Sequence, residues 1–158
     1  MNYTADISDQ YNNEVAIVMA EFRNFGGLEV FEGHVRTLSV HEDNTLVREM
    51  LSENGEGSVL VVDGGGSKNC ALLGGNLGVL AKENNWAGIV VNGCVRDSVE
   101  LRDIEIGVKA LSTNPQKSQK NGIGKKSIPL RVGGVTLIPG GYVYCDPDGM
   151  LYSARPLV

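Results

Sequence analysis

A chain of 158 residues, 42% hydrophobic and 21% charged, has the size and make-up of one globular domain, residues 1–158, with a real core. Its formal net charge of −5 gives no overall electrostatic footprint for nucleic acid. No apolar run approaches the roughly 20 residues that span a bilayer, and the start MNYTADISDQ lacks the basic and apolar stretches of a secretory signal, which excludes a membrane partner and predicts a cytoplasmic protein.

In chain order, Thr4–Val15 carries a weak helical pattern, with Ile7 and Tyr11 on one face. Val35–His41 alternates as a half-buried strand does. Asp43 or Asn44 can cap a helix whose apolar positions are Leu46, Val47, Met50 and Leu51, with Gly55 as its stop. Ser58–Val62 is a short apolar run before Asp63-Gly64, the pattern of a buried strand. A helix through Leu77, Leu80 and Ala81 leads into a strand over Gly88–Val91. This β-α-β order predicts a partly parallel α/β sheet. Further on, Ile104–Val108 and Arg131–Ile138 read as strands, and Thr113–Ser127 as a polar, Lys-rich surface loop. Tyr142–Asp146 and Met150–Ser153 flank Pro147-Asp148-Gly149, a hairpin turn.

Glycine is the compositional outlier at 21 residues, roughly twice the usual share. Much of it sits in pairs and triplets, which suit sharp turns and close backbone approach. Cys70, Cys94 and Cys145 are odd in number and widely spaced. They form no zinc or C-x-x-C pattern, so they read as free thiols in a reducing compartment.

Several segments invite a chemical reading. Asp63-Gly64-Gly65-Gly66-Ser67 follows a strand, but Asn69 stands where a dinucleotide turn needs its third glycine. A pocket rim and a plain tight turn remain equally open there. Gly122–Ser127 has the wrong spacing and setting for a nucleotide loop. Lys117, Lys120, Lys125, Lys126 and Arg131 read as a solvated charge run, with an acidic protein partner as the alternative. His34 and His41, seven apart, point to opposite faces of a regular strand and make no metal pair.

The strongest constellation is Arg96, Asp97 and Glu100, just after an apolar strand. Arg offers a planar fork for a carboxylate, and Asp a hard oxygen for a divalent metal. The competing reading is an N-cap Asp with Glu at N3, a capping-box variant. Spacing alone prefers the cap.

Five segments carry a family resemblance: Asn24-Phe25-Gly26-Gly27, Val61–Ser67, Asn92-Gly93-Cys94-Val95-Arg96-Asp97, Asp103–Val108 and Gly133-Gly134-Val135. Together, and in this order over nearly the whole chain, they resemble the family of the regulator of ribonuclease activity A, which merges with the class II 4-hydroxy-4-methyl-2-oxoglutarate aldolases. Some members have been labelled menaquinone methyltransferases, a label the glycine run here does not support. The resemblance implies an α/β sandwich like the swivelling phosphohistidine (β/β/α) domain, assembled as a ring-shaped homotrimer.

For function, the resemblance implies a pyruvate-forming lyase that cleaves a 4-hydroxy-2-oxo acid and decarboxylates oxaloacetate. It implies that Arg96 binds the 2-oxo acid, that Asp97 ligates Mg²⁺ or Mn²⁺, and that Glu100 holds a metal-bound water. Backbone N–H groups of Gly74, Gly75, Asn76 and Leu77 would receive the pyruvate carboxylate. The family's regulatory members imply an alternative, a non-catalytic protein that binds and inhibits ribonuclease E. Some of those lack the Asp that this chain keeps as Asp97. One departure stands out: Gly75 occupies the place where many aldolases carry an acid, and glycine cannot act as a base. The chain is also shorter than members whose acidic C-terminal extension reaches a neighbouring subunit. Both points predict aldol cleavage weaker than decarboxylation.

Overall fold

A computed structural model describes residues 3–158. Helix α1 (Thr4–Gln10) is followed by β1 (Val15–Ile17), β2 (Arg23–Asn24), β3 (Phe31–Ser39), α2 (Thr45–Leu51), β4 (Val59–Asp63) and β5 (Ala71–Leu73). Then come α3 (Gly75–Glu83), β6 (Gly88–Val95), α4 (Ser98–Arg102) and β7 (Gly107–Thr113). The last third is all strand: β8 (Lys125–Lys126), β9 (Leu130–Val132), β10 (Val135–Leu137), β11 (Tyr142–Asp146) and β12 (Gly149–Ser153).

The main sheet runs β1-β12-β11-β3-β4-β6-β7-β2, with β5 added to β6 and β8 to β3. Its centre, β3-β4-β6-β7, is parallel, as the β-α-β order predicts. Both faces are covered, which is why Val59–Val62 is a continuous buried run. On one face Leu60, Val62, Ile89 and Val91 join a core with Val47, Met50 and Leu51 of α2 and Leu77 and Ala81 of α3. On the other, Val35, Val59, Val61 and Val90 join a second core with Leu130, Val132, Leu137, Val143 and Met150 of the C-terminal strands. The Phe31 ring lies against the backbone of the sheet on this side. A Cβ at Gly107 would come within 2.1 Å of that ring, and one at Gly88 within 2.4 Å.

Several boundaries differ from the sequence reading. The first helix stops at Gln10, because Asn12-Asn13 turn the chain and Val15 opens β1. β3 begins at Phe31, four residues earlier than the alternation shows, and ends at Ser39. Gly55 does not stop α2, which ends at Leu51; its missing side chain admits Trp86, whose ring a Cβ there would meet at 2.5 Å. The strand expected at Ile104–Val108 is β7, displaced to Gly107–Thr113, because Ile104–Ile106 form the turn out of α4. Arg131–Ile138 splits into β9 and β10 around Gly133-Gly134, both at positive φ. The expected loop Thr113–Ser127 contains the last residue of β7 and the short strand β8. All three cysteines are buried and free, and among the described residues no helix is long and apolar enough to cross a membrane.

One buried knot ties the chain's start to its end. Asp146, 2% exposed, accepts the Thr4 amide and hydroxyl at 2.7 Å each, and the amides of Asp148 and Gly149. Its carbonyl accepts the Nζ of buried Lys109 at 2.8 Å. Burial alone raises a carboxyl pKa, but these donors outweigh it and hold Asp146 below the usual aspartate value of 3.8. A depressed folded pKa contributes stability that is present above the unfolded value and lost as pH falls through the folded one. Asp146→Ala, which strands several buried donors, is expected to cost about 3 kcal/mol at pH 7. Urea unfolding should show that gap closing as pH falls below the ordinary aspartate range.

Candidate functional site

β5 and β6 are parallel neighbours, pairing Ala71 with Cys94 and Leu73 with Val95. Their carboxyl ends therefore emerge side by side, the usual place for a ligand site in an open α/β sheet. From β5 the chain passes through Gly74 into α3. From β6 it passes through Arg96-Asp97 into α4. The Arg96 amide donates to the Leu73 carbonyl at 2.9 Å, which locks the two turns together.

Asp97 sits at the cap position of α4 in the left-handed region, φ 58° and ψ 42°, and its side chain does not cap that helix. The capping reading therefore fails. The Asp97 Oδ2 instead accepts the Gly75 amide at 2.9 Å, at the start of α3. A non-glycine residue held in this region is a mark of functional sites. The two glycines are needed for room. A Cβ at Gly74 would stand 2.7 Å from the Asp97 Oδ2, and one at Gly75 only 2.1 Å from the Glu100 Oε2. The Glu100 carboxylate thus lies where a side chain at position 75 would begin.

The first-turn amides of a helix have no intrahelical partner and favour anions. In α3 the Gly75 amide is taken by Asp97, which leaves the amides of Asn76 and Leu77 without an intrahelical partner, in two residues that line a cleft. This corrects the expectation that Gly75 offers its N–H to a ligand. The cleft measures about 70 Å³, room for roughly five waters. Gly74, Arg96 and Asp97 complete this wall. A second wall was not foreseen: Asn44 and Arg48 from α2 and its cap, with Lys117 and Lys120 from the long loop. Of the basic residues expected to be solvated, Lys117, Lys120, Lys125 and Arg131 are exposed as expected and Lys126 is half-buried. Lys117 and Lys120 face the cleft, Lys126 pairs with Glu49, and Arg131 bonds Thr136.

That loop is pinned. Asp43, 2% exposed, accepts the amides of Thr45, Asn121 and Ile123. Burial would raise its pKa, but these bonds outweigh that and lower it. No spacing rule reveals this staple, so the sequence reading missed Lys117 and Lys120 as site residues.

The other candidates fall away from chemistry. In the Asp63–Ser67 turn, the Gly64 and Gly66 amides go to the Asn92 carbonyl, the Gly65 amide to the Asp63 Oδ1 and the Ser67 amide to the Gly64 carbonyl. Nothing is left to cradle a phosphate. His34 packs edge-on to Tyr142, and exposed His41 lies 3.9 Å from Glu42. Among the described residues no three His, Cys, Asp or Glu side chains converge as a metal cluster. Asp97 and Glu100 offer hard oxygens only, a donor set that suits an ion keeping most of its waters.

Comparisons with known proteins give the chain's family. The family model RraA-like: Aldolase/RraA matches residues 4–152. A protein of Laribacter hongkongensis named "Putative 4-hydroxy-4-methyl-2-oxoglutarate aldolase" is 52% identical over 98% of both chains. One of the same name from Dechloromonas aromatica is 48% identical over 98% of this chain and 97% of that one. Among solved structures, the RNA-processing inhibitor RraA from Thermus thermophilis is 49% identical with a TM-score of 0.96, covering 100% of this chain and 96% of that one. A Geobacillus kaustophilus structure described as an S-adenosylmethionine: 2-dimethylmenaquinone methyltransferase is 44% identical with a TM-score of 0.97, covering 99% and 97%. With the family model matching nearly its whole length, the chain belongs to the RraA-like aldolase/RraA family.

Proposed function

We propose that the chain is a divalent-metal-dependent carbon–carbon lyase that forms pyruvate from 4-hydroxy-4-methyl-2-oxoglutarate and, by decarboxylation, from oxaloacetate. The observation that carries this reading is the Arg96-Asp97 turn held against the start of α3 by the Asp97–Gly75 bond. Around it lie a cation, two open helix amides and two carboxylates. The same reading includes the swivelling-domain layering and a ring-shaped trimer. Exposed Val79 and Val99 on α3 and α4, 45% and 68% accessible, leave an apolar surface beside the site for a neighbouring subunit.

The Asn76 and Leu77 amides receive the carboxylate of the 2-oxo acid, with the α3 dipole behind them. Arg96, tied by its Nη1 to the Pro115 carbonyl at 3.3 Å, would meet the 2-oxo oxygen, where charge develops as the bond breaks. Asp97, with Glu100 beside it, would hold a Mg²⁺ or Mn²⁺ ion, which would supply Lewis-acid polarisation of the 2-oxo group. In aldol cleavage the Glu100 carboxylate takes the proton of the 4-hydroxyl. The C3–C4 bond then breaks, its electron pair passes to the enolate of pyruvate, and C3 is finally protonated. In decarboxylation the same bond pattern releases carbon dioxide and no hydroxyl proton must be removed. Because Glu100 fills the space above Gly75, an acid is present where position 75 lacks one, and aldol cleavage needs no acid on α3.

Two variants test the reading. Asp97→Asn keeps the left-handed backbone tolerable and keeps an oxygen for the Gly75 amide. It is expected to remain folded and to lose about 10²-fold or more of metal-dependent pyruvate release from oxaloacetate. Turnover in that variant equal to the unmodified chain, or turnover surviving EDTA, would sink the lyase reading. Gly75→Ala pushes the Glu100 carboxylate aside while changing stability by no more than about 1 kcal/mol. Aldol cleavage should fall about 10²–10³-fold, and decarboxylation less than tenfold. Equal losses of both reactions would remove Glu100 from proton transfer.

The likeness to a solved RNA-processing inhibitor favours a second reading, inhibition of ribonuclease E through protein contacts. Inhibition of the purified nuclease by both the unmodified chain and Asp97→Asn is its expected result. Absence of binding at micromolar concentrations would end it.

A further inference from the structure

We infer that Asn114 is a positioning residue for Arg96: it fixes the Pro115 carbonyl, and that carbonyl aims the guanidinium at the 2-oxo oxygen. The inference rests on the lyase reading for the part Arg96 plays.

Arg96 is exposed, and among the described residues no ion pair within 4 Å involves it. Its amide is fixed on the Leu73 carbonyl. Its side chain makes a single hydrogen bond among the described residues, from Nη1 to the Pro115 carbonyl at 3.3 Å. The remaining N–H donors of the guanidinium are left for a ligand. A long side chain anchored at one point is aimed by that point. On the Pro115 side Arg96 also borders, with Ser98 and Thr113, an open cleft of about 300 Å³. The cleft on the side of Asn76 and Leu77 measures about 70 Å³. A guanidinium that lost its anchor would have more room away from the helix amides than toward them.

The anchor itself is held by Asn114. Asparagine before proline starts a turn, because the proline ring keeps the preceding residue extended and the asparagine oxygen can bond the backbone two residues on. Here the Asn114 Oδ1 accepts the Gln116 amide at 2.9 Å, which folds the chain around Pro115. The Asn114 Nδ2 donates to the Lys68 carbonyl at 2.6 Å, and the Asn114 backbone amide to the Val95 carbonyl at 3.0 Å. Val95 precedes Arg96, so the turn and the arginine share one reference point at the end of β6. The Gln116 carbonyl accepts the Ala71 amide at 2.8 Å and closes the far side of the turn. Half-buried Asn114 thus ties the Pro115 carbonyl to β6 and to the loop before β5. It acts through Arg96 and not on the ligand.

Asn114→Ala is expected to lower kcat for Mg²⁺-dependent pyruvate release from oxaloacetate about tenfold or more while KM stays within about threefold, because Arg96 acts where charge develops. In an Arg96→Met background the same substitution should cost less than about twofold, since residues that act through one another do not add. A full further loss in that background, or no loss of kcat in the unmodified one, would overturn the role. Asn114→Ser keeps a side-chain oxygen for the Gln116 amide and should hold kcat within about threefold. A loss as large as that of the alanine variant would count against the role equally. The heteronuclear NOE of the Arg96 Nε–Hε group, measured by NMR on the ¹⁵N-labelled chain, needs no turnover. It should be high in the unmodified chain and in Asn114→Ser, and fall in Asn114→Ala toward the value of exposed Arg102. An NOE unchanged in Asn114→Ala overturns the role whatever the activity. No turnover by the unmodified chain defeats the lyase reading alone, because the NOE still decides the positioning.

Discussion

The Asp97 carboxylate accepts the Gly75 amide, and the rest of the site is arranged around that bond. It joins the turn after β6 to the first turn of α3, two segments that only the parallel β5–β6 pairing brings together. The left-handed backbone at Asp97 costs about 1–2 kcal/mol. A carboxylate at a helix start recovers about 0.3–1 kcal/mol, and up to ~2 in a partly buried setting. The two nearly cancel, so the contact fixes geometry more than it stabilises the fold. It also explains why both residues of the turn are glycines at ordinary φ: their side chains would occupy the places of two carboxylates.

The chain uses one device twice. Asp43 and Asp146 are each 2% exposed, and each gathers several backbone amides from segments that have no helix or strand partner for them. A buried carboxylate without such donors would neutralise or destabilise the fold. With them, it becomes a short-range organiser of irregular chain. Asp146 fastens α1 to the last hairpin. Asp43 fastens the loop of Lys117 and Lys120 to the start of α2. The first use serves the fold, and the second brings cations to the cleft.

This difference decides what could be read from the residues. The parallel centre was legible because Val59–Val62 and Gly88–Val91 are apolar runs bounded by glycine, and two-sided burial leaves that mark. The pairing of Arg96 with Asp97 was legible as chemistry, since few patterns place a fixed cation beside an acid after a buried strand. β5 was not legible: three residues between glycine-rich turns carry no period, and their pairing with β6 is long-range. The loop was read rightly as an exposed one, but its part in the cleft was not legible for the same reason. Its polarity suits water, and nothing in its spacing shows that Asp43, 78 and 80 residues before Asn121 and Ile123, gathers their amides. The shift of β7 from Ile104–Val108 followed a real apolar signal, but Ile106 is buried in the turn out of α4 and not in a strand.

The position of Glu100 then depends on a contact remote from any ligand. α4 is only five residues long, too short to hold a side chain in place by its own hydrogen bonds. It is held by packing on α3. Leu101 is fully buried there, and a Cβ at Gly78 would come within 2.7 Å of its Cδ2 and 3.1 Å of the Ile104 Cδ1. Gly78 therefore lets the two helices approach closely enough for Glu100 to reach over Gly75. An acid at position 75 would be carried rigidly by α3, whereas an acid at position 100 reaches the same place across a helix–helix contact. Small residues at 75 and 78 on one helix and an acid on the next are thus one arrangement. Each is explained by the close approach of α4 to the start of α3.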